Sequence, residues 1–368
     1  MISVEVYRRK MDSPDDISEL RKLIKDNDLD PNDIVAVLGK TEGNGCVNDF
    51  TRGYATQSFS RYISDLLGKD ELEIKKQIAF VMSGGTEGVM SPHFTVFSSR
   101  EEDIEINSKE KSLVVVSGFT RDFLPEEQGT LIQVDEVAKV VKQLMKKAKI
   151  DDPNDVHFVQ IKCPLLTSER INEANSRGKK VVTHDTYESM GYNRGASAIG
   201  VGVALGEIDR EKLDDNTVMN DFTKYSGVAS TSGGIELLNC EIILMGNSFE
   251  GNGKYYIEHD VMKDAIDSSA LYRVLKKLGI DEGPILSEQN RNRIVNVFAK
   301  AESASNGFCR DRRTTLHTDS DINHTRHARA VVNGVLASII GDPMIYVSGG
   351  SEHQGPDGGG PVAVIVKR

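Results

Sequence analysis

The sequence predicts an α/β protein built from three similar units arranged about one pseudo-threefold axis. Three observations predict it. A Ser-Gly-Gly-x-Glu motif recurs at Ser83-Gly84-Gly85-Thr86-Glu87, Ser232-Gly233-Gly234-Ile235-Glu236 and Ser348-Gly349-Gly350-Ser351-Glu352. A separate apolar run ends in lysine three times, at Lys40, Lys162 and Lys300. Between each lysine and its serine stands a helical stretch carrying an arginine. The units cover residues 1–104, 111–249 and 254–368, with charged or Gly/Asn-rich links at Ser99 to Lys111 and Asn247 to Gly253.

Each unit reads as strand, helix, lysine strand, arginine helix, Ser-Gly-Gly strand and last strand. The first helix shows as an apolar stripe at helical spacing: Ile17, Leu20, Leu23 and Ile24; Val137, Val140, Val141, Leu144 and Met145; Leu271, Val274, Leu275 and Leu278. Such stripes are core faces. The lysine strand follows Asp30-Pro31-Asn32-Asp33 in the first unit and Asp152-Pro153-Asn154-Asp155 in the second; the third lacks the proline but keeps the apolar run, Ile294 to Lys300. Arg52-Gly53-Tyr54-Ala55 opens the first arginine helix and Arg194-Gly195-Ala196-Ser197 the second. In the third, Arg329 is preferred because it precedes Gly341 by the 12 residues that separate Arg194 from Gly206; Arg326 is the alternative, since Thr325-Arg326 resembles Thr51-Arg52. The last strands are His93 to Phe97, Glu241 to Met245 and Pro361 to Val366. Units of this kind surround a shared centre and bury one another's edges.

Composition narrows the function. The chain has 368 residues, 38% hydrophobic and 27% charged, ordinary for a soluble globular protein. A formal net charge of -11 argues against nucleic acid as partner and leaves room for a small anionic ligand in a locally positive pocket. Cys46, Cys163, Cys240 and Cys309 form no CxxC pair and read as reduced thiols of a cytoplasmic protein. Met1 to Lys10 is charged and lacks a signal peptide's apolar centre, and no run approaches the roughly 20 apolar residues of a membrane span.

The recurring polar set is Lys40, Arg52, Ser83; Lys162, Arg194, Ser232; and Lys300, Arg329, Ser348. Singly, a lysine at a strand end is a solvated terminus and Ser-Gly-Gly is a turn. Solvation does not require the same residue at one place three times, so the set is expected to ring one cavity. Serine is a weak nucleophile that needs a base. The eight histidines show no threefold pattern, so lysine is the candidate base, made neutral by burial and neighbouring cations. Arginine supplies paired donors for carbonyl or enolate oxygens. The glycines after each serine are expected to bring backbone N–H groups close enough for an oxyanion hole. Gly200-Val201-Gly202 reads as helix packing, His324 and His327 as a helix start or solvent-facing pair, and Gly358-Gly359-Gly360 as no P-loop.

On these residues the sequence resembles the ring-opening amidohydrolases, the cyanuric acid hydrolase and barbiturase family. Gly39-Lys40-Thr41-Glu42-Gly43-Asn44-Gly45, Ser83 to Gly88 and Ser348 to Pro356 carry the resemblance, which spans the chain. It implies a central β-barrel with the substrate at its middle and hydrolysis of cyanuric acid to carboxybiuret, then biuret and carbon dioxide. It places Lys162 as base and Ser232 as nucleophile in the second unit. Ser83 and Ser348, with Gly84, Gly233 and Gly349, would polarise ring carbonyls; Arg52, Arg194 and Arg329 would contact the ring, with Lys40 and Lys300 beside it. It implies no organic cofactor but a structural magnesium or calcium held by Glu302, Gln354 and carbonyls of Ser351, Gly355, Pro356 and Gly359. A homotetramer is a further expectation. A barbiturase opening barbituric acid to ureidomalonate, and a non-catalytic receptor for a small anionic ring, are the competing readings.

Overall fold

A computed structural model describes residues 1–104 and 110–368; residues 105–109, within the expected first link, lie outside the described residues. The first unit contains β1 (Ile2–Lys10), α1 (Ser18–Lys25), β2 (Ile34–Thr41), α2 (Phe50–Leu67), α3 (Glu71–Gln77), β3 (Ala79–Gly84) and β4 (His93–Glu101). The second contains β5 (Ser112–Phe119), α4 (Leu131–Lys147), β6 (Val156–Cys163), α5 (Ser168–Ser176), α6 (Thr186–Leu205), β7 (Ala229–Gly233) and β8 (Glu241–Ser248). The third contains β9 (Tyr255–Met262), α7 (Ser268–Lys277), α8 (Glu288–Arg293), β10 (Ile294–Ala301), a hairpin of β11 (Phe308–Cys309) and β12 (Arg312–Arg313), α9 (His324–Ile340), β13 (Tyr346–Gly349) and β14 (Gly360–Lys367). The expected links are shorter than the sequence suggests, because β4 runs on to Glu101 and β8 to Ser248.

Each unit makes one four-stranded sheet with the same order: β1-β4-β2-β3, β5-β8-β6-β7 and β9-β14-β10-β13. In each, the lysine strand runs parallel to the serine strand and antiparallel to the last strand. The parallel register sets Lys40 beside Ser83, Lys162 beside Ser232 and Lys300 beside Ser348. Each lysine strand also enters its sheet through an irregularity at the same place, Ile34/Ala36, Val156/Phe158 and Ile294/Asn296. Local chemistry explains the entries. Asp30 and Asp152 accept from Asn32 and Asn154 N–H, each at 2.9 Å, capping a single 3₁₀ turn that delivers the chain into the strand. In the third unit α8, capped by Ser287, takes that place.

The barrel expected at the centre is not closed. Among the described residues the strand ladders stay within each sheet, and the sheets meet through side chains. Phe97 of β4, Phe158 of β6 and Phe298 of β10 come from three units into one cluster, with Phe158 and Phe298 stacked at 5.1 Å and Tyr346 edge-on to Phe298 at 6.0 Å. Complete burial of each ring contributes about 2–3 kcal/mol. Helices cover the outer faces over separate apolar clusters. The α1 stripe is carried by Leu20 and Leu23, while Ile17 and Ile24 are partly buried at its margin.

The arginine helices start on Asp49, Asp185 and Asn323, whose side chains cap Thr51, Glu188 and Thr325 N–H. They end on Gly68, Gly206 and Gly341, all with positive φ, where glycine carries no Cβ penalty. Arg194 therefore does not open its helix: Asp185 starts α6 about two turns upstream. Gly200 does serve helix packing, since a Cβ there would stand 2.7 Å from the Val134 carbonyl on α4.

Candidate active site

The three lysines lie at the ends of β2, β6 and β10, fully buried. They reach across unit boundaries: Lys162 Nζ donates to the Met82 carbonyl at 3.2 Å, and Lys300 Nζ to the Thr231 carbonyl at 2.7 Å. In both cases the acceptor immediately precedes the neighbouring unit's serine. Lys40 Nζ instead lies 5.9 Å from the Tyr346 ring centre, just before Ser348. Each lysine of the polar set is thus brought beside the serine strand of a neighbouring unit.

Within that frame two stations match and one departs. Lys40 Nζ donates to Ser83 Oγ at 3.1 Å and to the Gly84 carbonyl at 3.2 Å. Lys300 Nζ repeats this with Ser348 Oγ and the Gly349 carbonyl, both at 3.0 Å. Burial, helped by Arg329 and Arg194 respectively, pushes both amines well below the ordinary lysine range. Lys162 turns instead to Glu236, with Nζ 2.5 Å from Oε1. Ser232 Oγ is buried with no hydrogen-bond partner. Burial works against the Glu236 charge, but Lys162 outweighs it and holds the carboxyl below its usual range.

The arginines divide in the same way. Arg329 binds Glu87 through Nε at 2.8 Å and Nη2 at 2.6 Å. Arg194 binds Glu352 through the same atoms at 2.8 and 2.6 Å. These are bidentate pairs between units. Arg52 is the exception: it donates to the Gly233 carbonyl at 2.9 Å and the Cys46 carbonyl at 2.5 Å, and its Nε has no hydrogen-bond partner. Arg326 also touches Glu87, at 3.1 Å, but its side chain is 36% exposed against 3% for Arg329. Arg329 therefore faces the centre and Arg326 its rim.

The second glycine of each motif plays a structural part. The second glycine of each motif spends its N–H on the residue after the lysine: Gly85 on Thr41 at 2.8 Å, Gly234 on Cys163 at 2.9 Å, Gly350 on Ala301 at 3.2 Å. Those amides are not free for an oxyanion. Their lack of a side chain makes room instead. A Cβ on Gly85 would stand 2.5 Å from the Arg329 guanidinium, one on Gly350 2.5 Å from Arg194, and one on Gly234 2.5 Å from Lys162 Cε. Glu87, Glu236 and Glu352 are the functional residues missed by the sequence reading; their signal was the shared fifth position of the motif.

The residues suggested for a cation lie just past the end of β10 and on the loop before β14. Ser305 N–H donates to Asp357 Oδ1 at 2.9 Å, and a Cβ on Gly358 would stand 2.8 Å from Ala304 Cβ. Glu302 accepts from Ser303 N–H at 2.9 Å and from Thr325 Oγ1 at 2.7 Å, and its Oε1 lies 2.8 Å from His324 Nδ1. Gln354 Oε1 accepts from Thr231 N–H at 2.6 Å, while the Ser351 and Pro356 carbonyls accept from Gln354 and Gly359 N–H. A carboxylate, an amide oxygen and carbonyls of Ser351, Gly355, Pro356 and Gly359 are the hard donors that magnesium or calcium takes, and lone pairs remain on each. His324 is the first residue of α9, and His327 Nε2 pairs with Asp319 at 3.0 Å on the exposed side.

Three α/β units of one strand order, each setting a buried lysine beside a serine, define a single-chain protein of internal repeats. The chain belongs to the amidohydrolase ring-opening protein family, which matches residues 5–367. A cyanuric acid amidohydrolase from Enterobacter cloacae is 54% identical over 368 residues, all of both chains. One from Pseudomonas sp. (strain ADP) is 50% identical over 367 residues, again covering 100% of each. A solved cyanuric acid hydrolase superposes with TM-score 0.96 at 50% identity, with 100% of each chain covered.

Proposed function

We propose that this chain hydrolyses the ring amide of cyanuric acid, with Ser232 as nucleophile and Lys162 as base. The observation that carries the reading is the threefold convergence of lysine and serine on one centre, which suits a ring with three equivalent edges. Ser232 Oγ, the one motif hydroxyl not held by its lysine, attacks a ring carbonyl. Its proton goes to Lys162 Nζ, which passes it to the ring nitrogen as the C–N bond breaks. Water, deprotonated by the same amine, then attacks the acyl carbon; Ser232 Oγ leaves, taking that proton back from Lys162, and the product departs as carboxybiuret, which loses carbon dioxide to give biuret. Ser83 and Ser348 hydroxyls polarise the remaining carbonyls, with Lys40 and Lys300 behind them. Arg52, Arg194 and Arg329 hold the ring edges. The recess between Arg194 and Arg329 has room for about one water, ≈ 20 Å³, so the ring enters as these side chains shift.

A divalent cation held by Glu302, Gln354 and the four loop carbonyls is part of the reading, and its contribution is to fix the Ser351–Gly359 loop beside Ser348. So are a homotetramer, which light scattering tests, and a cytoplasmic setting, which four free cysteines support. No helix among the described residues is long and apolar enough to cross a membrane. The deciding experiment is incubation with cyanuric acid and with barbituric acid separately. Loss of cyanuric acid with formation of biuret is expected. Turnover of barbituric acid alone moves the substrate, and binding of either without turnover makes the protein a receptor.

A further inference from the structure

A cavity of ≈ 490 Å³ lies between the first and second units, with Phe80 of the first and Glu236 of the second on its wall. Exposed Leu72, Lys76 and Asp122 lie at its rim, and Glu236 and Glu241 at its wall. Glu236 therefore touches Lys162 Nζ at one end and the cavity at the other. Glu241 is the cross-strand neighbour of Lys162, and its Oε2 accepts from Phe80 N–H at 3.0 Å. The first unit has His93 at that sheet position, opposite Lys40. Thr56 Oγ1, also on the cavity wall, is buried without a partner.

We propose that this cavity is the proton port of the second station, through which Glu236 carries protons between Lys162 and solvent with Glu241 standing behind the pair. The proposal rests on the reading of Lys162 as base. A proton leaves the Lys162 ammonium for a Glu236 oxygen and frees the amine lone pair. It then passes from Glu236 to water in the cavity, restoring the carboxylate.

Glu241 sets the upper end of the working range. Burial raises it to about 8, with Lys162 opposing. The groups around it are Lys162 on β6, Glu236 after β7, Cys240 beside it and Lys75 on α3. Lys76, Arg121 and Asp122 line the cavity further out, and Arg52 and Arg170 act on Glu236. As pH rises through about 8, Glu241 loses its proton and a second carboxylate faces Lys162. That charge competes with Glu236 for Lys162, so the relay fails on the alkaline side.

The test is the pH dependence of kcat on cyanuric acid for the full chain and its Glu241→Gln, Gly53→Leu and Ser232→Ala variants. Glu241→Gln keeps the position neutral and is expected to abolish the alkaline fall. Gly53 lines the cavity, and a Cβ there meets nothing within 4 Å, so leucine plugs the port while favouring the helix. Gly53→Leu is expected to lower kcat roughly tenfold with KM held. An unchanged alkaline limb in Glu241→Gln, or an unchanged kcat in Gly53→Leu, overturns the port. Should Glu241→Gln not fold, Gly53→Leu decides alone. Turnover that survives in Ser232→Ala overturns the dyad reading itself, and the port with it.

Discussion

In the first and third stations the lysine amine rests on its own serine, and the unit's motif glutamate holds an arginine from another unit. In the second, the amine rests on Glu236, the arginine that would complete the pattern holds a carbonyl, and the serine is unpartnered. One change connects all three departures: Glu236 has exchanged Arg52 for Lys162. The cost of an unpartnered buried hydroxyl is about 1–3 kcal/mol. The proposed nucleophile is thus the one motif hydroxyl without a partner, whereas Ser83 and Ser348 already accept from their lysines.

The largest effect expected from this comparison is on the serines. Ser232→Ala should reduce kcat about 10⁴-fold or more, while Ser83→Ala and Ser348→Ala should cost on the order of 10²–10³. Steady-state rates of the three variants check this, and a larger loss in Ser83→Ala than in Ser232→Ala would transfer the chemistry to the first station. Next come the arginines. Replacement of Arg194 or Arg329 by lysine forfeits a bidentate fork and should lower kcat/KM about a hundredfold, whereas Arg326→Lys at the rim should change it little. An equal loss in Arg326→Lys would make it the ring arginine of the third unit.

A smaller effect separates the residues behind the lysines. Burial lowers His93 to about 4 in the fold, against about 6.5 unfolded, so the unfolded chain binds the proton more readily. Its contribution is present above pH 6.5 and is lost as pH falls toward 4. Urea titrations at pH 7 and pH 5 should show about 2 kcal/mol lost, most of it spared in His93→Asn. The smallest effect concerns the cation assigned to the third unit. Chelation should lower Tm by about 3 °C and added magnesium or calcium should restore it; an unmoved Tm would remove the cation from the loop.

The parts visible in the sequence are those that chain-local chemistry enforces. The Asp-Pro-Asn-Asp turns, the strand-ending lysines and the capping glycines recur because each unit needs them at a fixed place along its own backbone. Lys40, Lys162 and Lys300 could therefore be paired with their serines by counting. What could not be counted is who meets whom across unit boundaries. The glutamates were visible as motif positions, yet their partners lie on helices of other units, and only packing selects Arg329 for Glu87 and Lys162 for Glu236. The start of α6 was hidden because Asp185 caps it inside a polar stretch that carries no apolar stripe. The closed barrel failed for a related reason: among the described residues no strand ladder joins the three sheets, which meet chiefly through aromatic side chains and, at Ile2 and Gly251, one isolated bridge.

The three sheets share one strand order but are carried on a single polypeptide, and this has a consequence for inheritance. A trimer of identical chains would have to repeat every substitution at all three stations. Here one codon changes one station. Glu241 opposite Lys162 and His93 opposite Lys40 occupy the same sheet position with opposite acid–base character, an arrangement that no identical-subunit ring could encode. A single polypeptide thus lets each wall of the centre be edited separately.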